Sequence, residues 1–101
     1  MHTGVDIGAD GGTPIYAAAD GKIISRSWIG GYGNTIIISH GDGITTLYAH
    51  QSAFGNFGAG DYILAGDTIG YVGTTGNSTG NHLHFEVRVN GNHTDPMNYL
   101  N

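Results

Sequence analysis

The sequence holds no cysteine, only two prolines and only three strong cations among its 101 residues. Without thiols there is neither a disulfide nor a thiolate metal site, so any bound metal would be held by histidine and carboxylate. Lys22, Arg26 and Arg88 are too few to neutralise a phosphate backbone, and the formal net charge is −5. That balance argues against nucleic acid, and against an anionic membrane or wall polymer as an electrostatic partner. No apolar run reaches the roughly 18 residues of a membrane span, and no signal peptide is recognisable. Met1 stands directly before His2, so the chain is expected to be a segment cut from a longer protein, a monomeric domain within a multidomain whole.

Glycine is abundant instead, 19 residues scattered without a period. Scattered glycine between short apolar runs reads as many tight turns in one small all-β domain. The expected strands are Thr13 to Ala19, Lys22 to Trp28, Asn34 to His40, Thr45 to His50, Tyr62 to Leu64, Thr68 to Val72 and His82 to Val89. Gly41-Asp42-Gly43 reads as a hairpin turn, and no segment keeps a helical period over ten residues. Thr74 to Asn81 is a polar loop. Gln51 to Asp61 reads as a surface loop with Phe54 and Phe57 tucked onto the sheet.

The last long strand carries the chemistry. Side chains alternate across a strand, so His82, His84, Glu86 and Arg88 share one face, while Leu83, Phe85, Val87 and Val89 form the core face. His2 and Asp6, in the spacing His-x-x-x-Asp, add a nitrogen and an oxygen donor from one short segment. With one strand histidine they complete two nitrogens and one oxygen, which leaves a fourth tetrahedral position for water, the pattern of a catalytic zinc. Alternation does not say which of His82 and His84 is the ligand. His50 ends its strand with Tyr48 on the same face and Leu47 on the other. His40 and His93 lie beside turn residues and read as solvated surface groups.

These stretches resemble the lysostaphin-type, LytM-like zinc endopeptidases that cut peptide bonds in bacterial peptidoglycan. The likeness runs through His-Thr-Gly-Val-Asp at 2 to 6, Gly-Thr-Pro-Ile-Tyr-Ala-Ala-Ala-Asp-Gly at 12 to 21 and Gly-Gly-Tyr-Gly-Asn at 30 to 34. It continues in Leu-Tyr-Ala-His at 47 to 50, Gly-Asn-Ser-Thr-Gly-Asn-His-Leu-His-Phe-Glu at 76 to 86 and Asp-Pro-Met-Asn-Tyr-Leu at 95 to 100. The resemblance implies an antiparallel β-sandwich of the duplicated-hybrid-motif type. It also implies one zinc ion on His2, Asp6 and His84, with His50 and His82 facing the metal as catalytic residues, and Tyr32 and Asn34 beside the substrate groove. Hydrolysis by a metal-activated water follows, with His50 and His82 dividing the general-base and oxyanion roles. Glu86 is then expected to support the site or pair with Arg88 rather than to bind the metal. The implied partner is peptidoglycan peptide, and the implied location is the cell wall, the extracellular space or a phage particle.

The chain departs from the family pattern in three places. The strand and glycine-rich stretch that usually precede the first ligand histidine are missing, so one sheet edge is expected to be incomplete or supplied from upstream. Gln51 stands where leucine is usual, and Ser52 to Gly60 looks atypical, which bears on substrate preference rather than chemistry. Both glycyl-glycine bridges and D-alanyl crosslinks remain open as substrates. Two other classes share parts of the pattern. A non-catalytic relative that binds the wall or a partner enzyme would be expected to lose ligands. Sugar-permease phosphocarriers pair histidines in a similar sandwich without needing His-x-x-x-Asp.

Overall fold

The computed structural model describes residues 4–76 and 80–94, with His93 described by its backbone alone. Among these residues nine strands form and no helix: β1 (Val5–Gly8), β2 (Pro14–Tyr16), β3 (Gly21–Ile29), β4 (Gly33–Gly41), β5 (Ile44–Phe54), β6 (Tyr62–Ile63), β7 (Thr68–Val72), β8 (His82–Val89) and β9 (Asn92–Thr94). All pairings are antiparallel. The main path runs β1-β8-β5-β4-β3-β6, with β9 along β8 and the β2–β7 pair joined through the end of β5.

Turn chemistry sets these hairpins. Gly41, Asp42 and Gly43 all have positive φ, a conformation open to glycine and tolerated by aspartate, and they turn β4 back onto β5. Asn90 and Gly91 likewise both have positive φ, and Val89 pairs with Asn92 across them. This is the two-residue turn that Asn-Gly favours, and it creates β9, a strand absent from the expected set. The four-residue β1 was not foreseen either.

Alternation on β8 divides the molecule into two faces. Phe85 and Val87 point into a core with Tyr48, Ile15, Ile23, Ile36, Ile38, Ile63, Ile69 and Val72. The β2–β7 pair supplies Ile15, Ile69 and Val72, and so closes over the sheet as a second layer. Burying each of these large side chains stabilises the fold by about 1.5–3 kcal/mol. Tyr48 lies opposite Phe85 in the β5–β8 register, with ring centroids 5.3 Å apart.

Two expectations change on strand β5. Asn34 pairs with Gln51 and Ile36 with Tyr48, so one residue of β4, Thr35, opposes two of β5, Ala49 and His50. The extra residue is a bulge at Ala49–His50, where His50 takes φ 61°. A bulge breaks the two-residue period. Tyr48 therefore faces the core, while the His50 ring lies 4.8 Å from that of His82 on the opposite face, and the two do not share a side as alternation alone required. Beyond the bulge the strand continues to Phe54 and pairs with β7, so Gln51 to Phe54 is strand rather than loop. Phe54 and Phe57 do pack, partly buried, against the core.

His40 is also not a solvated group. Its Nδ1 bonds the Asp20 carbonyl at 2.7 Å, and its Nε2 lies 2.7 Å from Thr46 Oγ1. Thr46 in turn lies 2.8 Å from the Tyr48 hydroxyl, which accepts the Ala18 N–H at 3.0 Å. A histidine beside a glycine turn reads as exposed only until distant parts of the fold place hydrogen-bond partners at both ring nitrogens. Burial pushes the Tyr48 hydroxyl pKa up, so it stays protonated. Tyr48→Phe removes the only partner described for the Ala18 N–H, and is expected to cost about 1–3 kcal/mol. Equilibrium denaturation measures it, and an unchanged midpoint would show that the network carries no stability.

Candidate metal centre

The β1–β8 register places Asp6 opposite His84 and Gly8 opposite His82. Residues 78 positions apart in sequence thereby meet: His84 Nδ1 lies 2.8 Å from Asp6 Oδ1, and His82 Nε2 lies 3.5 Å from the same oxygen. Asp6 remains 67% exposed, so this convergence opens to solvent. Gly4 makes the close approach of β1 possible. A Cβ there would stand 2.6 Å from His84 Cε1 and 2.8 Å from the Phe85 carbonyl oxygen. His2, the third expected ligand, lies outside the described residues.

Behind His84 stands Glu86, fully buried. Its Oε2 accepts the His84 Nε2–H at 2.8 Å and the Tyr32 hydroxyl at 2.6 Å. Its Oε1 accepts Arg88 Nε at 3.0 Å and Nη2 at 2.8 Å. Burial pushes the Glu86 carboxyl up, but the bonds from His84, Tyr32 and Arg88, with the Arg88 charge, outweigh it and hold the pKa at about 2 against an ordinary 4.5. The bond to Glu86 raises the His84 pKa above 6.5; burial opposes this, and Asp6 adds to the rise. Burial first, then the bond to Glu86, raises the Tyr32 pKa, so its proton stays on the phenol.

His50 reaches the same face through its bulge. Its N–H donates to the Tyr32 carbonyl at 2.8 Å, and its Nδ1 lies 2.6 Å from the Thr75 carbonyl. A carbonyl only accepts, so Nδ1 carries the proton and Nε2 is the basic nitrogen of the neutral ring. The same reasoning puts the proton of His82 on Nδ1, 2.9 Å from the Gly80 carbonyl. The left-handed backbone of His50 costs of order 1–3 kcal/mol, and its surroundings hold it there. Gln51 Nε2 donates across the bulge to the Tyr48 carbonyl at 3.0 Å. The Gln51 carbonyl accepts from Thr75 Oγ1 at 2.7 Å and Asn34 Nδ2 at 3.1 Å. Gln51 Oε1 is buried without a hydrogen bond among the described residues. It packs against Gly70, where a Cβ would collide with it.

The two groove candidates thus differ. Tyr32 stacks on His84, with centroids 5.6 Å apart and planes 26° from parallel, whereas the Asn34 amide is directed at the Gln51 carbonyl. Two links were not foreseen from the sequence. Tyr32 was not linked to Glu86, and Thr75 was simply part of a polar loop. Neither link has a local signal, since each joins a turn to a strand distant in sequence.

Two donors of the kind zinc takes, a histidine nitrogen and a carboxylate oxygen, meet here. Glu86 occupies His84 Nε2, which leaves Nδ1 for a cation shared with Asp6, the carboxylate–histidine–metal arrangement. Among the described residues no three His, Cys, Asp or Glu side chains form a ready cage, so a further nitrogen is needed.

The sequence profile of peptidase family M23 matches residues 1–96. The DD-carboxypeptidase/endopeptidase Mpg of Neisseria meningitidis serogroup B is 50% identical over 97 residues, which are 96% of this chain and 22% of Mpg. The chain spans about a fifth of the length of the curated relatives it matches. The solved catalytic domain of the antimicrobial peptidase lysostaphin from Staphylococcus simulans superposes with TM-score 0.90 at 41% identity, covering 98% of this chain and 78% of that one. A zinc-containing peptidase from Vibrio cholerae superposes with TM-score 0.90 at 35% identity, covering 95% of this chain and 29% of that one.

In the metal-free protein, NMR titration should find the His84 ring protonating above pH 6.5, and Glu86→Gln should lower that midpoint. Because the folded pKa is raised, this contribution to stability is complete below pH 6.5 and is lost as pH rises through the raised value. A midpoint at or below 6.5 would contradict the Asp6–His84–Glu86 geometry. Gly4→Ala should displace the His84 ring and change its NMR signals. An unperturbed ring would show that β1 does not pack as described.

Proposed function

The chain belongs to peptidase family M23, and we propose that it is a zinc-dependent endopeptidase domain acting on the peptides of bacterial peptidoglycan. One observation carries the reading: Asp6, His84, His82 and His50, drawn from three strands, converge on one face, and neighbouring acceptors assign a ring proton to each of the three histidines. On this reading His84 Nδ1, Asp6 and His2 hold the zinc. A zinc there would bring water's pKa from about 15.7 to roughly 7 and polarise the scissile carbonyl.

The protein's own groups manage protons and orientation. His50 and His82 each have Nδ1–H donated to a backbone carbonyl, so proton exchange with substrate runs through Nε2. One takes a proton from the attacking water and later protonates the leaving amine. The other, when protonated, faces the carbonyl oxygen as charge develops. Glu86 keeps His84 in the tautomer that presents Nδ1, and Asn34 and Thr75 hold the backbone beside His50. Tyr32 walls the site next to His84. On this reading the domain works at the cell wall as part of a longer protein, and both glycyl and D-alanyl bonds are candidate substrates.

The test is to measure bound zinc and then incubate the protein with purified peptidoglycan or bridge peptides, with and without chelator. Zinc at one ion per chain and chelator-sensitive release of new amino termini are expected, and both should be lost in His84→Ala. His50→Ala and His82→Ala should keep the zinc while kcat falls about 10²–10⁴-fold. Wild-type protein that binds the wall without zinc and without cutting it would instead establish a non-catalytic binding module.

A further inference from the structure

Tyr32 closes the turn between β3 and β4, at the tip of a hairpin far in sequence from β1 and β8. The tip is held in place by close packing. Gly33 has φ 71°, and a Cβ there would collide with the Thr75 backbone. From this position Tyr32 makes three separate contacts with the site. Its hydroxyl donates to Glu86 Oε2 at 2.6 Å, its ring stacks on His84, and its carbonyl accepts the His50 N–H at 2.8 Å. His84 and Arg88, which also bond Glu86, lie on the same strand as Glu86. Tyr32 instead arrives from another part of the fold.

A phenol has one proton to donate, and here a buried, ionised carboxylate accepts it in a short charge-assisted bond. Donating that proton to a substrate would leave Glu86 with a partner fewer in a site that water does not reach. The hydroxyl is therefore committed to the protein, although the residue borders the groove. We propose that Tyr32 is a positioning residue of the metal site. It orients His84 through Glu86 and ring stacking, orients His50 through its own carbonyl, and is not a substrate-binding hydroxyl. The inference rests on the zinc-peptidase reading, because positioning His84 matters only if that ring is a ligand.

Tyr32→Phe keeps the ring and the backbone carbonyl and removes only the bond to Glu86. Zinc affinity, measured by chelator competition, should weaken about tenfold or more, as loss of a supporting hydrogen bond behind a ligand does. KM for a bridge peptide should stay unchanged once the enzyme is zinc-saturated. In metal-free protein the ¹⁵N signal of His84 Nε2 should move. Tyr32→Ala, which also removes the stacked ring, should weaken zinc binding further. Wild-type zinc affinity in Tyr32→Phe together with a raised KM would overturn the proposal and return the hydroxyl to the substrate. Absence of zinc from the wild-type protein would instead overturn the peptidase reading itself, so the two failures are distinguishable.

Discussion

A buried carboxylate with no partner would be one of the most costly groups this small domain could contain, and Glu86 is a fully buried carboxylate. Its two oxygens take donors from His84, Tyr32 and Arg88, and satisfying them arranges much of the site. His84 must turn Nε2 inward, so Nδ1 faces Asp6. Tyr32 must fold its turn over His84. Arg88 is occupied by Glu86, which commits one of only three strong cations in the chain to structure. A single buried charge thus couples β8, the β3–β4 turn and, through His84, β1.

The second constraint is the bulge at His50. A regular β5 would send His50 into the core beside Tyr48. One additional residue, held in a left-handed conformation, sends it to the face that carries His82 and His84 and lets the rest of the strand cross into the second layer with β7. The strained backbone is supported from three directions, by Tyr32, Thr75 and the Gln51 amide. Gln51 is an unusual support, because its Oε1 is left without a bond among the described residues. The amide keeps its tie to the Tyr48 carbonyl in spite of that cost. Strain and an orphaned polar atom both lie beside a histidine assigned a chemical role, which is where local rules are expected to yield to function.

Much of this was legible residue by residue. The alternation His82-Leu83-His84-Phe85-Glu86-Val87 announces a strand with a polar and an apolar face, and the structure keeps both. Glycine-rich punctuation marks the β4–β5 hairpin correctly. Asn90-Gly91 carried an equally strong turn signal, one that would have revealed β9. His40 misled because a neighbouring glycine says nothing about which hydrogen-bond partners distant residues bring to the ring. His50 misled because a bulge leaves no trace in composition, and a period-two count assumes that none is present.

The sequence by itself determined the all-β class, the two faces of β8 and a donor chemistry restricted to histidine and carboxylate, since these follow from local periodicity and from which side chains exist. It also carried the likeness to the peptidase family in motifs that could be read in order. The tertiary structure alone decided that Asp6 meets His84, that Glu86 selects the free nitrogen of that ring, that His50 leaves the core face and that Tyr32 bonds Glu86. Each of these depends on strand register or on a single bulged residue. Register is set by packing between segments tens of residues apart, so no local pattern encodes it.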